Sequence, residues 1–418
     1  MWRFIFPLRL RQWIGPLAVA GLAAALIGIL IVSTGWVNLS ARKPHPEGWA
    51  RFLHYTFRRS TAYHSRGLEP PGDLDSPVRI AAGAAYFGQV CAHCHGAPGL
   101  GQNPVALMMH PRPQFLATDL ASPSTAYSPA ELFRIVAAGV KYSAMPGWPA
   151  SNRDDEVWQM VAFLRALPRM TPAQFRALAL TVPQPASGDP RARAFGDVAV
   201  ERPYAIINNR EPPVTSYSYR WPVYAFGSDQ TLLGDPVQTC ARCHGADGRG
   251  GGAFPNLTIQ DPDYLRRSLV AFASGMRRSG FMRLMASQLS PRQMSALASY
   301  YAAMPRKATE PSGPGDPVGQ TLALVGDAKH GLGPCAGCHG VDSAVAKAYP
   351  VLEGQSAWYI ANQMRVFRSG GRGGVEGQNP MPAIASRLDD RQIEAVARYY
   401  AAQPPSVRQS FAAVVHAR

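Results

Sequence analysis

Negative charge is scarce in this sequence. Aspartate and glutamate number 27 against 42 lysines and arginines, which leaves a formal charge of +15 over 418 residues. Charged residues of both signs make up only 17%, while hydrophobic residues make up 46%. That balance excludes a disordered chain, which combines low hydrophobicity with high net charge, and it is too polar for a protein that crosses a membrane many times. No basic run falls on a recognisable nucleic-acid-binding motif, so no nucleic acid is expected as a partner. The positive excess suits an anionic membrane surface or an acidic protein partner, although a generally basic proteome gives the same number. At this length two to four domains are expected.

Charge is missing entirely from residues 12–41, and from 17 to 32 every residue is apolar or glycine. At ~1.5 Å per residue, a helix over residues 13–37 spans roughly 37 Å, enough for a hydrocarbon core of about 30 Å. Trp13 and Trp36 mark its ends, where aromatic belts form, and Arg3, Arg9 and Arg11 precede it, which keeps the N-terminus in the cytoplasm. A cleaved signal peptide is the competing reading, but the stretch is long for one and Leu39-Ser40-Ala41 is a poor cleavage site. Residues 1–41 therefore read as an uncleaved single-pass anchor in a bacterial cytoplasmic membrane, with the rest of the chain in the periplasm.

Cysteine is also sparse: there are six, and none stands outside one repeated motif. The copies are Cys91-Ala-His-Cys94-His95, Cys240-Ala-Arg-Cys243-His244 and Cys335-Ala-Gly-Cys338-His339. Three disulfides would not place histidine after every second cysteine. A zinc ribbon sets its pairs ~15–20 residues apart, whereas these stand about a hundred apart, and no βαβ pattern supports a thioredoxin-like site. C-x-x-C-H is the attachment signature of haem c. Two thiols add to the two vinyl groups, and the next residue supplies an imidazole to the iron. Three covalent haems c are thus expected, on Cys91, Cys94, Cys240, Cys243, Cys335 and Cys338, with His95, His244 and His339 as axial ligands. Their propionates offset part of the positive charge.

The sixth ligand is read from register. Met145 lies in Ser-Ala-Met-Pro and Met381 in Asn-Pro-Met-Pro, while the middle unit offers Met276, Met282 and Met285. Helices ending at Pro168, Pro305 and Pro404 follow. Counting back 23 residues from each proline gives Met145, Met282 and Met381, and neither Met276 nor Met285. Each helix carries one apolar stripe at i, i+3, i+4, i+7. The stripes are Val157, Met160, Val161, Leu164; Met294, Leu297, Ala298, Tyr301; and Ile393, Val396, Ala397, Tyr400. Met160 and Met294 fall on stripes and read as core, whereas the three ligand candidates precede the helices, on loops. Ser290 to Gln293 and Asp389 to Gln392 read as capping boxes. Thioether opposite imidazole raises the potential and fills the coordination sphere, which favours electron transfer over haem catalysis. A ligating imidazole needs an acceptor for its other N–H. Pro255 and Pro350 are placed to supply such a carbonyl, with Pro111 and Pro113 as rougher equivalents in the first unit; a plain turn proline is the other reading.

Along the chain the reading is an anchor (1–41), a juxtamembrane segment of aromatic and basic residues (42–78), a first haem unit (79–170), a connection rich in proline and aromatic residues (171–225), a second unit (226–306), a third (319–405) and a tail (406–418). His45, His54 and His64 of the juxtamembrane segment are assigned no role. The second and third units are the closer repeat, with cysteines offset by 95 and methionines by 99.

At these motifs the chain resembles class I cytochromes c, small all-α folds wrapped round one haem. The fold expected from that resemblance is all-α, with three such domains in tandem after one transmembrane helix. The second and third units together look like the tandem two-haem cytochromes of the c4 type. The matching residues are Cys243-His-Gly-Ala-Asp-Gly248 with Phe254-Pro-Asn-Leu257, and Tyr349-Pro-Val-Leu-Glu-Gly-Gln355 with Phe367-Arg-Ser-Gly370. The third unit departs with Val341-Asp-Ser-Ala344 where the family has a Gly-rich turn, and the second reads Met282-Arg283 in place of Met-Pro. The first unit looks like membrane-anchored single-haem cytochromes, through Cys94-His-Gly-Ala-Pro98, Gly139-Val-Lys-Tyr-Ser-Ala-Met-Pro-Gly-Trp148 and Trp158-Gln-Met-Val-Ala-Phe163. The resemblance implies an electron carrier between a membrane quinol-oxidising complex or dehydrogenase and a terminal oxidase. Three alternatives stay open: a cytochrome subunit of a membrane alcohol or sugar dehydrogenase, a haem enzyme with one open iron, and a subunit that docks a redox enzyme.

Overall fold

The computed structural model describes residues 10–36, 40, 45–102, 104–122, 126–180, 236–340, 348–373 and 379–405. Most of the proline- and aromatic-rich connection, the tail, the 341–344 turn, Arg3 and Arg9 lie outside the described residues. Among the described residues the only β pairing is isolated bridges, such as Gly251 with Phe254. The fold is all-α.

Helix α1 (Leu10–Ser33) holds the apolar stretch 17–32. It stops short of residue 37. The Ser33 and Thr34 hydroxyls turn back to the Leu30 carbonyl at 3.1 and 2.8 Å, and Gly35 takes a positive φ of 70°. These are local competitors of the helical ladder. Over Trp13–Ser33 no residue is buried, and most are exposed. Helix α2 (Glu47–His64) covers much of the juxtamembrane segment. It is tied to the first unit by Arg58, which lies 4.3 Å over the Tyr127 ring and donates to the Ala126 carbonyl.

Each of the three units has an apolar core, and that of the first is made of two adjoining clusters, one of which packs Leu132 and Phe133 against Val157, Trp158 and Val161. The first core gathers α3 (Pro77–Tyr86), α4 (Pro129–Ala138) and α5 (Asp154–Ala166) round Phe87, Phe163 and Leu167. It also takes in Phe175 and Ala179, from a segment opened by a Thr171–Gln174 capping box. The second is built on α6 (Pro236–His244), α7 (Pro262–Ser274), α8 (Gly280–Ala286) and α9 (Pro291–Ala302). The third uses α10 (Pro317–Leu324), α11 (Ala336–His339), α12 (Ala357–Arg368), α13 (Met381–Ala385) and α14 (Asp390–Ala402). All three stripes read from sequence are buried on α5, α9 and α14, Met160 and Met294 included. The Ser290–Gln293 and Asp389–Gln392 capping boxes form in both directions.

The second and third units meet through a two-fold-like exchange that keeps the 95-residue offset. Gln260 bonds both backbone groups of Val351 (2.9 and 3.0 Å), and Gln355 bonds both of Asn256 (2.7 and 3.1 Å). The first unit docks on both. Asp155 accepts from Asn362 Nδ2 at 3.0 Å, and Arg153 donates to the Arg278 carbonyl.

Glycine sets how closely α10 approaches α14. A Cβ at Gly319 would run into the Ala395 carbonyl and lie 2.8 Å from Tyr399 Cβ, and Gly83 on α3 faces Gln159 of α5 in the same way. In an open helix, glycine to alanine stabilises by about 1 kcal/mol. Here the sign reverses, because overpacking costs about 1–3 kcal/mol. Gly319→Ala is expected to lower the denaturant midpoint of the third unit, followed by its haem absorbance. Gly313→Ala, with nothing within 4 Å of the new Cβ, is expected to leave it in place.

Candidate haem sites

Each C-x-x-C-H motif lies on a helical turn. A turn of helix brings i, i+3 and i+4 to one side, so both sulfurs and the following imidazole face the same way. In the first unit Cys91 closes the wide turn Phe87–Cys91, and Cys94 and His95 lie in the helical turn that follows. The second motif ends α6, and the third occupies α11 with Cys335 at its N-cap.

The three imidazoles are held alike. His95 Nδ1 lies 2.9 Å from the Gln114 carbonyl, His244 Nδ1 3.0 Å from that of Pro255, and His339 Nδ1 2.9 Å from that of Pro350. A carbonyl only accepts, so Nδ1 carries the proton and donates, which leaves Nε2 with its lone pair. Pro255 and Pro350 thus supply the acceptors that sequence spacing pointed to. The first unit differs: its acceptor is Gln114, while Pro113 O accepts from Gln102 Nε2 (2.9 Å), which also ties the Cys94 carbonyl (3.1 Å). Nineteen residues separate Gln114 from His95, against eleven in the other units, so no shared spacing pointed to it. Burial lowers the His95 and His244 pKa, opposed by these same backbone bonds, and favours neutral rings.

All six thiols are unbridged and half-buried. Burial pushes Cys91 up to about 12, and Cys243 and Cys335 up to about 11. A thioredoxin-like site needs the opposite, a thiol depressed toward neutrality. No group of three or more metal-binding side chains of the zinc type occurs among the described residues.

The candidate methionines are placed as follows. Met145 is half-buried on the 139–148 loop, and its N–H donates to Ser143 Oγ at 3.1 Å. Met381, also expected on a loop, is the first residue of the short helix α13, with its N–H on Asn379 Oδ1 at 3.2 Å. Met282 is not on a loop: it sits inside α8, because Ser279 caps that helix and accepts from Met282 N at 3.0 Å. Met285 lies one turn further along the same helix. A cavity of about 550 Å³ is lined by His244, Met282, His339 and Met381, and also by Met285, with Tyr86, Arg153 and Glu156 of the first unit on its wall. Met276 lies outside that lining and is 53% exposed.

Sequence reading missed two cavity arginines. Arg277 and Arg372 are both buried and 95 residues apart. Arg277 donates to Ser268 Oγ and to Tyr359 OH of the third unit (3.2 and 3.1 Å). Arg372 donates to Gln363 Oε1 and to Tyr264 OH of the second (2.6 and 3.3 Å). Arg277 lies over the Phe272 ring at 4.4 Å and Arg372 over Phe367 at 4.5 Å. Among the described residues no carboxylate pairs with either, and Arg372 Nε has no hydrogen-bond partner. Burial and the nearby Arg277 push Arg372 down to about 10. Paired thiols, imidazoles fixed at Nδ1 on backbone carbonyls, thioethers and buried arginines without a carboxylate partner together fit haem, whose propionates are anionic.

Comparison with known proteins points to the same class of protein. The family model described as "Cytochrome C oxidase, cbb3-type, subunit III" matches residues 78–164. The cytochrome c family model matches 235–304 and 332–401. The "Thiosulfate dehydrogenase electron acceptor" of Thiomonas intermedia is 39% identical over 181 residues, covering 42% of this chain and 83% of the relative. Its namesake in Stutzerimonas stutzeri is 38% identical over 171 residues, 40% of this chain and 79% of the relative. Cytochrome c4 of Pseudomonas aeruginosa is 33% identical over 168 residues, 38% of this chain and 81% of the relative. Matches that run through most of each relative, and not through the attachment motif alone, show that this chain belongs to the cytochrome c family.

Proposed function

We propose that this chain is a membrane-anchored electron carrier with three covalently attached haems c, in units over residues 79–170, 226–306 and 319–405. The observation that carries the reading is the repeated imidazole geometry: Nδ1 fixed on a backbone carbonyl at 2.9–3.0 Å in all three motifs, beside a pair of thiols. Bound haem supplies a one-electron ferric/ferrous couple. Cys91 with Cys94, Cys240 with Cys243 and Cys335 with Cys338 provide the thioether attachments. His95, His244 and His339 would hold the iron through Nε2, with Met145, Met282 and Met381 as the thioether donors. Ser143, Ser279 and Asn379 orient the methionine backbones. With two protein ligands at each iron, the sites suit electron transfer over substrate binding.

A dehydrogenase is the favoured class of electron donor, since two relatives are named as electron acceptors of thiosulfate dehydrogenase. A terminal oxidase is the favoured acceptor class. The bare apolar surface of α1 supports a lipid-embedded anchor, because a solvated helix of that hydropathy would expose a large apolar patch.

The stoichiometry test is a pyridine haemochrome assay, with three haems per chain retained after acid-acetone extraction; two or fewer sinks at least one motif. For topology, protease added to spheroplasts is expected to release the haem-bearing part in soluble form, and a cytochrome that is soluble without protease refutes the anchor. For the middle iron, Met282→Ala is expected to abolish one low-spin methionine signal and admit carbon monoxide to one haem, with Met276→Ala silent. Met285 shares the cavity with Met282, so Met285→Ala is the discriminating control. If it opens the iron and Met282→Ala does not, the ligand is Met285.

A further inference from the structure

The middle unit is the one whose ligand methionine lacks a following proline. Its ligand helix is held from outside. Glu156, in the first turn of α5, is 2% exposed and reaches across to the start of α8. Its Oε1 accepts from Ser279 Oγ at 2.6 Å and lies 2.8 Å from an Arg153 guanidinium nitrogen. Its Oε2 accepts from Gly280 N at 2.6 Å and Trp148 Nε1 at 3.0 Å. Four donors on two oxygens is a set suited to an ionised carboxylate. Burying that charge is costly unless it is paired and fully hydrogen-bonded, and both conditions are met here.

Ser279 and Gly280 are the N-cap and first residue of α8, and Ser279 Oγ in turn accepts from Met282 N. A chain of hydrogen bonds thus runs from Arg153 through Glu156 and Ser279 to the backbone of Met282. Ring contacts reinforce it. Phe281 stacks on Tyr86 with centroids 4.7 Å apart and meets Trp148 edge-on at 5.5 Å. Gly280 leaves no room for a side chain, since a Cβ there would run into the Trp148 indole. In the other two units the corresponding capping group, Ser143 or Asn379, sits two residues before the methionine, and Pro146 or Pro382 follows it.

We propose that Glu156 of the first unit is a positioning residue for the middle haem: it clamps the start of α8 and so holds Met282 against the cavity in place of the missing proline. This rests on the reading of Met282 as the axial ligand. It makes the middle site a joint product of two units, so that docking of the first unit sets the ligation, and through it the potential, of the second.

The test compares Glu156→Gln, Glu156→Ala, Ser279→Ala and Met282→Ala in the full-length holoprotein. Glu156→Gln keeps the shape, and Asp155, 2.8 Å from Arg153, retains that guanidinium. The readouts are the methionine-to-ferric-iron charge-transfer band, carbon monoxide binding by the reduced protein, and the three potentials. Weakened methionine ligation lowers the potential of its haem. Loss of a buried negative charge acting only through its field raises it. The expected result is a lowered potential for one haem in Glu156→Gln and Ser279→Ala, and loss of one methionine band with carbon monoxide binding at one haem in Glu156→Ala. If Glu156→Ala loses all three bands, Glu156→Gln decides by the sign of its shift. Should Met282→Ala open no haem, the ligand assignment fails and the clamp with it. Should Met282→Ala open one haem while the Glu156 variants leave ligation intact, with that potential unchanged or raised, the clamp alone is overturned.

Discussion

An imidazole can be aimed only if one of its nitrogens is fixed, and the three Nδ1–carbonyl bonds do this here. Much of the surrounding chain exists to bring that carbonyl back over the ring. In the second unit the return needs glycine. Gly250 N bonds the His244 carbonyl at 2.8 Å, and Leu257 N bonds Gly248 O at 2.8 Å. Gly248 and Gly250 have φ of 67° and 61°, and a Cβ at Gly250 would run into the Phe254 carbonyl. In the first unit a side chain does the same work, with Gln102 bridging the Cys94 and Pro113 carbonyls one residue before the acceptor. The constraint is common and the means of meeting it differ.

The units are then joined by polar contacts made to measure. Gln260 and Gln355 each take both backbone groups of one residue in the other unit, so neither amide nor peptide is left unpaired on burial. The first unit enters through Arg153, whose two carboxylate neighbours point to different units: Asp155 to Asn362 of the third, Glu156 to Ser279 and Gly280 of the second. Gln89, two residues before Cys91, brings its amide to 3.9 Å from Cys243 Sγ, so the first attachment turn abuts the second.

What could be read in advance was what is local. The C-x-x-C-H motifs, the stripes on α5, α9 and α14 and the two capping boxes are each set within a few turns of chain, and periodicity or spacing exposes them. Pro255 and Pro350 were legible because the two units repeat; Gln114 was not, because the first unit stretches the same loop. Met282 was expected on a loop and lies in a helix, since a single serine cap at Ser279 converts the one into the other. Glu156 gave no signal at all. As the third residue of an amphipathic helix that opens with Asp154 and Asp155, it reads as a solvated charge near a helix N-terminus, whereas it is buried against Trp148 and Arg153 and against a segment 123 residues away. The arginines were hidden for the same reason: nothing near Arg277 or Arg372 in sequence announces that both face one cavity.

The shortage of negative charge, first visible in composition, has its structural counterpart at those arginines. Hydrogen bonds to hydroxyl and amide oxygens satisfy some of the guanidinium donors but leave the charge uncompensated, and a buried unpaired ion costs several kcal/mol. The strain registers in the neighbours. Burial raises the Tyr264 pKa, yet Arg277 and Arg372 outweigh it and hold the phenol below its ordinary value. Because each guanidinium donates to the other unit's tyrosine, a compensating anion in this cavity stabilises the contact between the second and third units as well as itself. By the mass-action rule that whatever binds the assembled state preferentially also stabilises it, an anion held by these two side chains would favour the docking of the two units.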